Sequence, residues 1–405
     1  MLRGVFLLVL CVNVGVGAEG DVCVDNGVTG KCVPIKKCLS ALQNIVYKKH
    51  PQICSFDKVE PTICCVDNEA SGPIATTSSI PHTSTTEYIP PTYDYDNSEE
   101  KEESKCGPLD PVLTSPKTGR KAWDKCVEYQ EKLVYPCKKS TALIGGYERK
   151  YECYHNADEL IVGGVNASRN EFPHMVLLGF NTTTGISWMC GGSLISEKFI
   201  LTAGHCVMHK DFGDVKYASI GVLSRGEVTP ENTYKVKRSV RHPQYRIDVY
   251  NDIAVIELEK EVTLDAFTVP ACLHVGDPID YSRAIAAGWG LLEDRGATPS
   301  DVMQKVIVKK IRKVTCQRDY PGDTSAVAAK YDSESQLCYG DRQEKKDTCH
   351  GDSGGPLQLK HKKINCMYLV IGVTSGGKGC ALRNRPGLYS KVSHYLDWIE
   401  SIVWP

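Results

Sequence analysis

The sequence has no excess of charge of either sign. Its 48 Lys and Arg residues balance its 49 Asp and Glu residues, for a formal net charge of −1. Proteins whose main partner is nucleic acid or an anionic membrane usually carry a clear basic excess, so the bulk charge favours neither class. We therefore expect no nucleic-acid partner and no membrane partner.

Long apolar runs are also scarce. The run of residues 5–12 follows Arg3 and precedes the small residues 16–18, an order that is typical of a secretory signal peptide. A membrane anchor is the rival interpretation, but the run is shorter than the ~20 apolar residues that a bilayer-spanning helix needs. No later segment is long and apolar enough to span. We assign residues 1–18 to a signal peptide and expect a secreted, extracellular protein.

Paired short-spaced Cys and His clusters of the kind that bind zinc are absent, although cysteine itself is abundant. The chain has 19 cysteines, and loss of Cys11 with the signal peptide leaves 18. An even number of cysteines in an oxidising compartment indicates disulfides. We therefore expect a disulfide-bonded protein that needs no metal and no other cofactor.

The cysteines before residue 161 fall into two groups. Residues 19–66 contain six of them and are too few to bury a sufficient apolar core without cross-links, and the sequence alone leaves their pairing open. Residues 67–105 are rich in Thr, Ser and Pro and end in an acidic stretch, a composition typical of an extended linker. Four more cysteines follow with their pairing also open: Cys106, Cys126, Cys137 and Cys153.

Residues 161–405 have the pattern of an all-β unit. Short apolar stretches recur between turn signals, which is typical of barrels or sandwiches. Helical spacing is confined to the last stretch, where Leu396, Ile399 and Ile402 repeat and Ser393 is the expected N-cap.

Three segments of this unit carry reactive side chains: Leu-Thr-Ala-Gly-His-Cys at 201–206, Asn-Asp-Ile-Ala at 251–254 and Gly-Asp-Ser-Gly-Gly-Pro at 351–356. A lone His beside a Cys, or a lone Asp ahead of a strand, is usually structural. Gly-Asp-Ser-Gly-Gly is more specific, because it places a hydroxyl on a tight turn. Together, His205, Asp252 and Ser353 match a triad in which an imidazole activates a serine.

These segments resemble the trypsin/chymotrypsin serine proteases. The resemblance extends over residues 161–405 and includes Ile-Val-Gly-Gly at 161–164, Gly-Gly-Ser-Leu at 191–194, Ala-Gly-Trp-Gly at 287–290 and Pro-Gly-Leu-Tyr at 386–389. It implies an all-β, chymotrypsin-like double β-barrel with a C-terminal helix and the active site in the cleft between the barrels. It also implies an oxyanion hole formed by the backbone N–H groups of Gly351 and Ser353.

The resemblance extends to the substrate pocket. Asp347, six residues before Ser353, matches the base of that pocket and favours Arg or Lys side chains. The remaining substrate-binding residues implied by the family are Ser375, Gly377 and Gly387. Two departures stand out: Gly376 stands where the family usually has Trp or Phe, and Val222 stands where its calcium loop has a carboxylate. We therefore expect no required metal.

The family also implies activation by cleavage. The new N-terminus would be Ile161, whose ammonium would pair with Asp352, and the bond to be cut follows Leu160. A protease that cuts after Arg or Lys is not expected to cut after leucine. The sequence therefore predicts an upstream activating protease and a place in the middle of a cascade.

The resemblance implies the disulfides Cys190–Cys206, Cys316–Cys338 and Cys349–Cys380, and a tether from Cys272 to Cys153. It leaves Cys106, Cys126, Cys137 and Cys366 unassigned. The first group of cysteines ends in an adjacent pair and resembles the clip domain of arthropod clip-domain serine proteases of the snake type. That family implies the pairs Cys23–Cys64, Cys32–Cys54 and Cys38–Cys65.

These observations predict a clip domain at 19–66, a linker and propeptide light chain at 67–160, and a protease domain at 161–405. Asn166 and Asn181 are candidate glycosylation sites. The resemblance implies a cascade protease of haemolymph or perivitelline fluid that activates a downstream clip-protease precursor, in immunity or embryonic patterning, and meets a serpin inhibitor. The alternatives are a non-catalytic clip-domain cofactor, against which Ser353 argues, and a digestive trypsin, against which the long amino-terminal region argues.

Overall fold

The structure is a computed structural model of the 405-residue chain. It describes residues 20–25, 28–38, 52–57, 60–66, 105–140, 146–154, 165–246, 250–277, 281–291, 298–322, 330–340, 352–361, 364–376 and 386–405. The predicted signal peptide lies outside these residues. The chain divides into two compact units, residues 1–93 and 94–405. None of the helices in the described segments is long and apolar enough to cross a bilayer.

The first unit contains a four-stranded antiparallel sheet with the order β1-β2-β4-β3. Its strands are β1 (Val22–Asp25), β2 (Val28–Pro34), β3 (Ile53–Asp57) and β4 (Glu60–Cys65), and a 3₁₀ turn (Ile35–Lys37) follows β2. Three disulfides cross it in the pairing that the clip resemblance implies: Cys23–Cys64, Cys32–Cys54 and Cys38–Cys65. Its buried clusters are made largely of these half-cystines, as expected for a unit too small for a large apolar core.

The second unit opens with a segment that packs on the barrels. It contains α1 (Lys121–Tyr129), a π-helical turn (Gln130–Val134) and the two-stranded ribbon of β5 (Cys137–Lys139) and β6 (Tyr147–Arg149). The expected tether between Cys153 and Cys272 is wrong. The structure pairs Cys126 with Cys272, Cys153 with Cys366 and Cys106 with Cys137. The reason is that the buried face of α1 places Cys126 in the same apolar cluster as Cys272.

Six strands close the first barrel in the order β10-β15-β14-β13-β8-β9. They are β8 (Met175–Thr182), β9 (Gly185–Leu194), β10 (Phe199–Thr202), β13 (Tyr217–Ile220), β14 (Thr233–Arg241) and β15 (Ala254–Leu258). A short ribbon of β11 (Met208–His209) and β12 (Gly213–Asp214) lies beside it, and 3₁₀ turns cover Gly204–Val207 and Arg225–Glu227.

The second barrel closes because β21 pairs with both β20 and β22, giving the order β20-β17-β18-β19-β22-β21. Its strands are β17 (Arg283–Gly288), β18 (Gln304–Lys310), β19 (Gln336–Gly340), β20 (Pro356–Lys360), β21 (Tyr368–Gly376) and β22 (Gly387–Lys391). β7 (Val165–Asn166) adds to β18, and β16 (Cys272–Leu273) runs parallel to β21. The double barrel expected from the sequence is confirmed.

The C-terminal helix, α3 (Leu396–Val403), is also confirmed, and a shorter helix, α2 (Lys313–Asp319), follows β18. Ser393 is not the N-cap, because a 3₁₀ turn (Val392–His394) precedes α3 and Tyr395 is the cap residue. α3 packs its apolar residues into the core of the first barrel, although it follows the last strand of the second. The disulfides Cys190–Cys206 and Cys316–Cys338 form as the resemblance implies, while Cys349 and Cys380 lie outside the described residues.

Candidate active site

His205 and Asp252 lie side by side because β10 ends and its antiparallel neighbour β15 begins at the same edge of the first barrel. β10 pairs antiparallel with β15 so that Thr202 lies opposite Ala254. The turn after β10 carries His205, and Asp252 comes just before β15. Oδ2 of Asp252 lies 2.8 Å from Nδ1 of His205, and Oδ1 accepts from the His205 backbone N–H at 2.9 Å. This arrangement fixes the orientation of the imidazole.

The second barrel supplies further hydrogen bonds to Asp252, which is 2% exposed. Ser375 in β21 donates from Oγ to Oδ2 at 2.6 Å, and Ser390 in β22 donates from Oγ to the backbone oxygen at 2.7 Å. The sequence marked Ser375 for substrate binding, and the structure places its hydroxyl on Asp252. Ser390 was missed, because a serine in a strand carries no motif.

The preceding residue adopts a backbone conformation that is uncommon for a side chain larger than glycine. Asn251 has φ of 51°, and its Oδ1 accepts from the Tyr395 hydroxyl at 3.2 Å. Asparagine tolerates the left-handed region better than most residues. Burial raises the pKa of Tyr395 to about 12, so this hydroxyl stays protonated and remains a donor at neutral pH.

The electrostatics of His205 favour its charged form. Burial lowers the pKa of the imidazole, but the negative charge of Asp252 and the hydrogen bond to it raise the pKa by more than burial lowers it. The net pKa therefore lies above that of an ordinary histidine. Because Nδ1 faces the carboxylate, Nδ1 carries the proton and Nε2 is the basic nitrogen. The side chain is 35% exposed, so a substrate can reach it.

Ser353 lies on a turn that is packed against the backbone leading to His205. Its carbonyl accepts from Gly191 N at 2.8 Å, and Gly354 N donates to Thr374 O at 2.8 Å. Gly354 has φ of 79°, and a Cβ there would overlap Oγ1 of Thr202. Thr202 ends β10, directly before the turn that carries His205. The chain segments of all three triad residues therefore meet at one place, where the two barrels adjoin.

The carboxylate of Asp352 lies against two glycines. It accepts from Gly290 N at 2.9 Å, and a Cβ on Gly290 would lie 2.7 Å from both carboxylate oxygens. Gly288 is equally constrained, because a Cβ there would overlap Oδ1. The glycines of the Ala-Gly-Trp-Gly motif are thus required by the close approach of Asp352. The predicted pairing of Asp352 with Ile161 stays a prediction, since Ile161 lies outside the described residues.

Several other predicted site residues also lie outside the described residues: Leu160, Asp347, Gly351 and Gly377. Gly387 is described, begins β22 and is buried opposite Tyr339. Asn166 and Asn181 are both exposed, as a glycan attachment site must be, and their modification stays a prediction.

The described residues include two groups that place potential metal ligands within 4.8 Å of one another: Cys190, His205 and Cys206, and Cys23, Cys32 and Cys54. All five cysteines are in disulfides and offer no thiolate to a metal. Val222, at the position of the family's calcium-binding carboxylate, is buried in an apolar cluster. Neither cluster nor this position has the donor chemistry of a metal site.

A protein-family model described as Trypsin matches residues 161–399. Serine protease snk of Drosophila melanogaster is 36% identical over 252 residues, which cover 60% of this chain and 57% of that protein. Serine protease Hayan of the same species is 34% identical over 253 residues, covering 60% of this chain and 39% of that protein. The matched region therefore spans less than two thirds of the length of each of these two relatives. The venom protease of Bombus pensylvanicus is 33% identical over 58% of this chain and 96% of its own length.

Proposed function

Because the chain belongs to the trypsin family of serine proteases, we propose that it is a secreted serine endopeptidase that cleaves after Arg or Lys. It is made as an inactive precursor and acts in the middle of a proteolytic cascade. The observation that carries this proposal is the His205–Asp252 pair. Ser375 of the second barrel donates a hydrogen bond to Asp252, and the turn that carries Ser353 packs against Thr202, which directly precedes the turn of His205.

The chemistry follows from the protonation states at this site. A serine hydroxyl is a weak nucleophile at neutral pH, so Nε2 of His205 removes the Ser353 proton as Oγ attacks the substrate carbonyl. Asp252 stabilises the imidazolium that forms. The imidazolium then protonates the leaving amine, and an acyl-enzyme remains on Ser353. Water, deprotonated by His205, attacks the acyl group and releases the acid product.

The developing oxyanion is stabilised by the N–H groups of Gly351 and Ser353. The next two N–H groups of the turn are engaged within the protein, because Gly354 N donates to Thr374 O and Gly355 N donates to Asp352 O. This removes Gly354 and Gly355 as donors and supports a role for the Ser353 N–H, while the Gly351 N–H is assigned from its position in the family motif. The loss of one such donor typically raises the barrier by about 2.7–4 kcal/mol.

Specificity and activation rest on sequence position within the family. Asp347 at the base of the pocket favours a cationic side chain in the substrate. Cleavage after Leu160 by an upstream protease frees Ile161, whose ammonium pairs with Asp352. Because this protease prefers Arg or Lys, it does not activate itself.

Two disulfides keep the activated protein together. Cys126–Cys272 and Cys153–Cys366 join residues before Leu160 to residues after it. The cleaved protein is thus a two-chain enzyme in which residues 105–140 and 146–154 remain packed on the protease barrels. The abundance of disulfides supports secretion into an oxidising fluid such as haemolymph or perivitelline fluid.

The partners follow from the proposed place in the cascade. The substrate is a protein, a clip-protease precursor cut after Arg or Lys, and a serpin is the expected inhibitor. Similarity to the snk and Hayan serine proteases supports a protein substrate, and the precursor and the serpin are inferred from the clip-domain resemblance.

A direct test uses the full chain with residues 156–160 replaced by an enterokinase recognition sequence, so that cleavage leaves Ile161 as the new N-terminus. The cleaved protein is expected to hydrolyse an Arg-containing chromogenic peptide, and Ser353→Ala is the matched inactive control. A folded, cleaved protein that neither hydrolyses the peptide nor reacts with a fluorophosphonate would refute the proposal and favour a non-catalytic cofactor.

A further inference from the structure

We propose that Arg225 is a positioning residue for this active site: its guanidinium fixes the Trp289–Gly290 peptide, whose N–H in turn fixes the carboxylate of Asp352 beside Ser353. The inference rests on the proposed function and adds to it a residue that carries no sequence motif.

Arg225 lies in the first-barrel loop of residues 221–232 and donates to backbone carbonyls in three separate segments. Nη2 donates to Trp289 O at 2.9 Å, Nη1 to Trp188 O at 2.7 Å and Nε to Ser300 O at 3.0 Å. The planar guanidinium has five N–H donors in a rigid fork, so one side chain fixes the relative positions of these three segments.

The Trp289 carbonyl belongs to the same peptide group as the Gly290 N–H, and that N–H donates to Asp352 Oδ1 at 2.9 Å. The peptide therefore has a cation at its oxygen and an anion at its hydrogen, the orientation that both charges favour. A rotation of this peptide would break both hydrogen bonds at once. The orientation of Asp352 thus depends on Arg225 through a single intervening peptide.

The loop that carries Arg225 is itself fastened to the second barrel. Arg225 N donates to Asp301 O at 2.9 Å, and Leu223 O accepts from Met303 N at 2.9 Å and from the Trp289 indole at 3.0 Å. These bonds bring the Arg225 backbone to a defined position beside the Trp289 peptide. The guanidinium is therefore held within reach of its three carbonyl partners by the backbone of its own loop.

The loop is ordered by its own charged groups. Glu227 completes a capping box with Ser224, accepts from Leu223 N at 2.9 Å and pairs with Arg169. Arg169 thus stabilises the same loop without touching the Trp289–Gly290 peptide. It provides a matched control for Arg225.

The guanidinium of Arg225 is partly buried and lies near two carboxylates. Burial lowers its pKa, and the attraction of Asp301 and Asp352 offsets only part of that effect, so the net pKa lies below that of an ordinary arginine. An arginine in this setting remains protonated at any pH at which the protein is folded. Replacing it with a neutral side chain would remove a cation that faces Asp352 and leave up to three carbonyls without their donor.

The test compares Arg225→Gln, Arg225→Lys and Arg169→Gln in the full chain, activated through the enterokinase sequence. Two quantities are measured well below the unfolding midpoint: the rate of Ser353 acylation by a fluorophosphonate per folded molecule, and the deuterium exchange of peptides containing Gly290 and residues 352–360. The unfolding midpoint of each variant is measured separately.

We expect Arg225→Gln to slow acylation on the order of tenfold, within the ~100-fold that a misplacement of about 1 Å can cause. Exchange at Gly290 should accelerate. Arg225→Lys should recover part of the rate, since it keeps the charge but not the fork, and Arg169→Gln should match the parent protein in both acylation and exchange.

Unchanged acylation and unchanged exchange in Arg225→Gln would overturn the inference, even if the unfolding midpoint fell, because that pattern describes a merely structural residue. If the parent protein did not react with the fluorophosphonate, the proposed function would fail, and deuterium exchange alone would test the positioning role of Arg225. Faster exchange at Gly290 in Arg225→Gln but not in Arg169→Gln would support the positioning role, and equal exchange would overturn it.

Discussion

Ser375 donates its hydroxyl proton to Oδ2 of Asp252 at 2.6 Å, and this is the same carboxylate oxygen that faces Nδ1 of His205. Ser375 belongs to β21 of the second barrel, whereas Asp252 and His205 belong to the first. The orientation of His205, the proposed catalytic base, therefore depends on how the two barrels meet. A change in their packing would reach the Asp252–His205 pair through this hydrogen bond and through the bond from Ser390 to the Asp252 carbonyl.

Removal of this hydrogen bond should impair catalysis more than substrate binding. A hydrogen bond to a charged group contributes about 1.5–3 kcal/mol, so we expect Ser375→Ala to lower kcat roughly tenfold with little change in KM. Steady-state kinetics on an Arg-containing peptide measure both constants. Ser401→Ala is the control, because Ser401 is exposed and donates only to Trp398 O within α3. An equal loss in both variants would contradict the prediction.

The raised pKa of His205 is expected to set the acidic limit of activity. The proposed mechanism needs the neutral imidazole, so activity should be lost as the pH falls through the pKa of His205, and a raised pKa should place this acidic limb at a higher pH than an ordinary histidine would. Asp252→Asn removes the attraction that raises the pKa and leaves the effect of burial, which lowers it. We expect the limb to move to lower pH and kcat to fall about 10⁴-fold.

The pH dependence of kcat/KM for the two proteins measures this shift. An acidic limb that stayed in place in Asp252→Asn would show that another group governs it. Ser390→Ala is an informative companion variant, because Ser390 bonds the backbone carbonyl of Asp252 and leaves its carboxylate untouched. Its limb should coincide with that of the parent protein.

Gly354 should tolerate no side chain. Its φ of 79° and the overlap of a Cβ with Thr202 Oγ1 predict that Gly354→Ala displaces the Ser353 turn. The left-handed backbone alone costs an alanine roughly 1–2 kcal/mol, and the overlap adds to this. We expect a lower free energy of unfolding and a slower reaction of Ser353 with a fluorophosphonate. Gly226→Ala is the matched control, since its nearest neighbour would lie 3.5 Å away.

The two disulfides that join residues before Leu160 to residues after it predict how the cleaved protein migrates. Under denaturing, non-reducing conditions it should migrate as a single species, because Cys126–Cys272 and Cys153–Cys366 each join the two chains. Replacing the cysteines of either disulfide with serine should leave the chains attached. Replacing all four should separate them. Separation in one of the two paired variants would mean that the other disulfide does not form.

The motifs and the family resemblance predict the double barrel and the C-terminal helix, because Gly-Asp-Ser-Gly-Gly and the other motifs of the family occur in a fixed order along the chain. They do not predict the tether of Cys272. The positions of cysteines in a sequence do not say which face of α1 is buried, and that face brings Cys126 rather than Cys153 to Cys272.

The supporting residues were not predictable for a related reason. Ser390 is one serine in a strand and Arg225 one arginine in a loop, and neither carries a local signal. Their contacts exist only after the barrels meet, when Ser390 reaches Asp252 and Arg225 reaches the Trp289 peptide. Sequence motifs report the reacting groups, whereas the groups that orient them are set by tertiary packing.

The last helix has a consequence for the order in which the protein can finish folding. Leu396, Ile399 and Val403 of α3 belong to the same apolar cluster as residues of the first barrel, whose strands are synthesised more than a hundred residues earlier. A nascent chain that has emerged only as far as β15 lacks these side chains and leaves the part of the cluster that contacts them exposed to water. The first barrel can therefore complete its apolar packing only after translation has delivered α3.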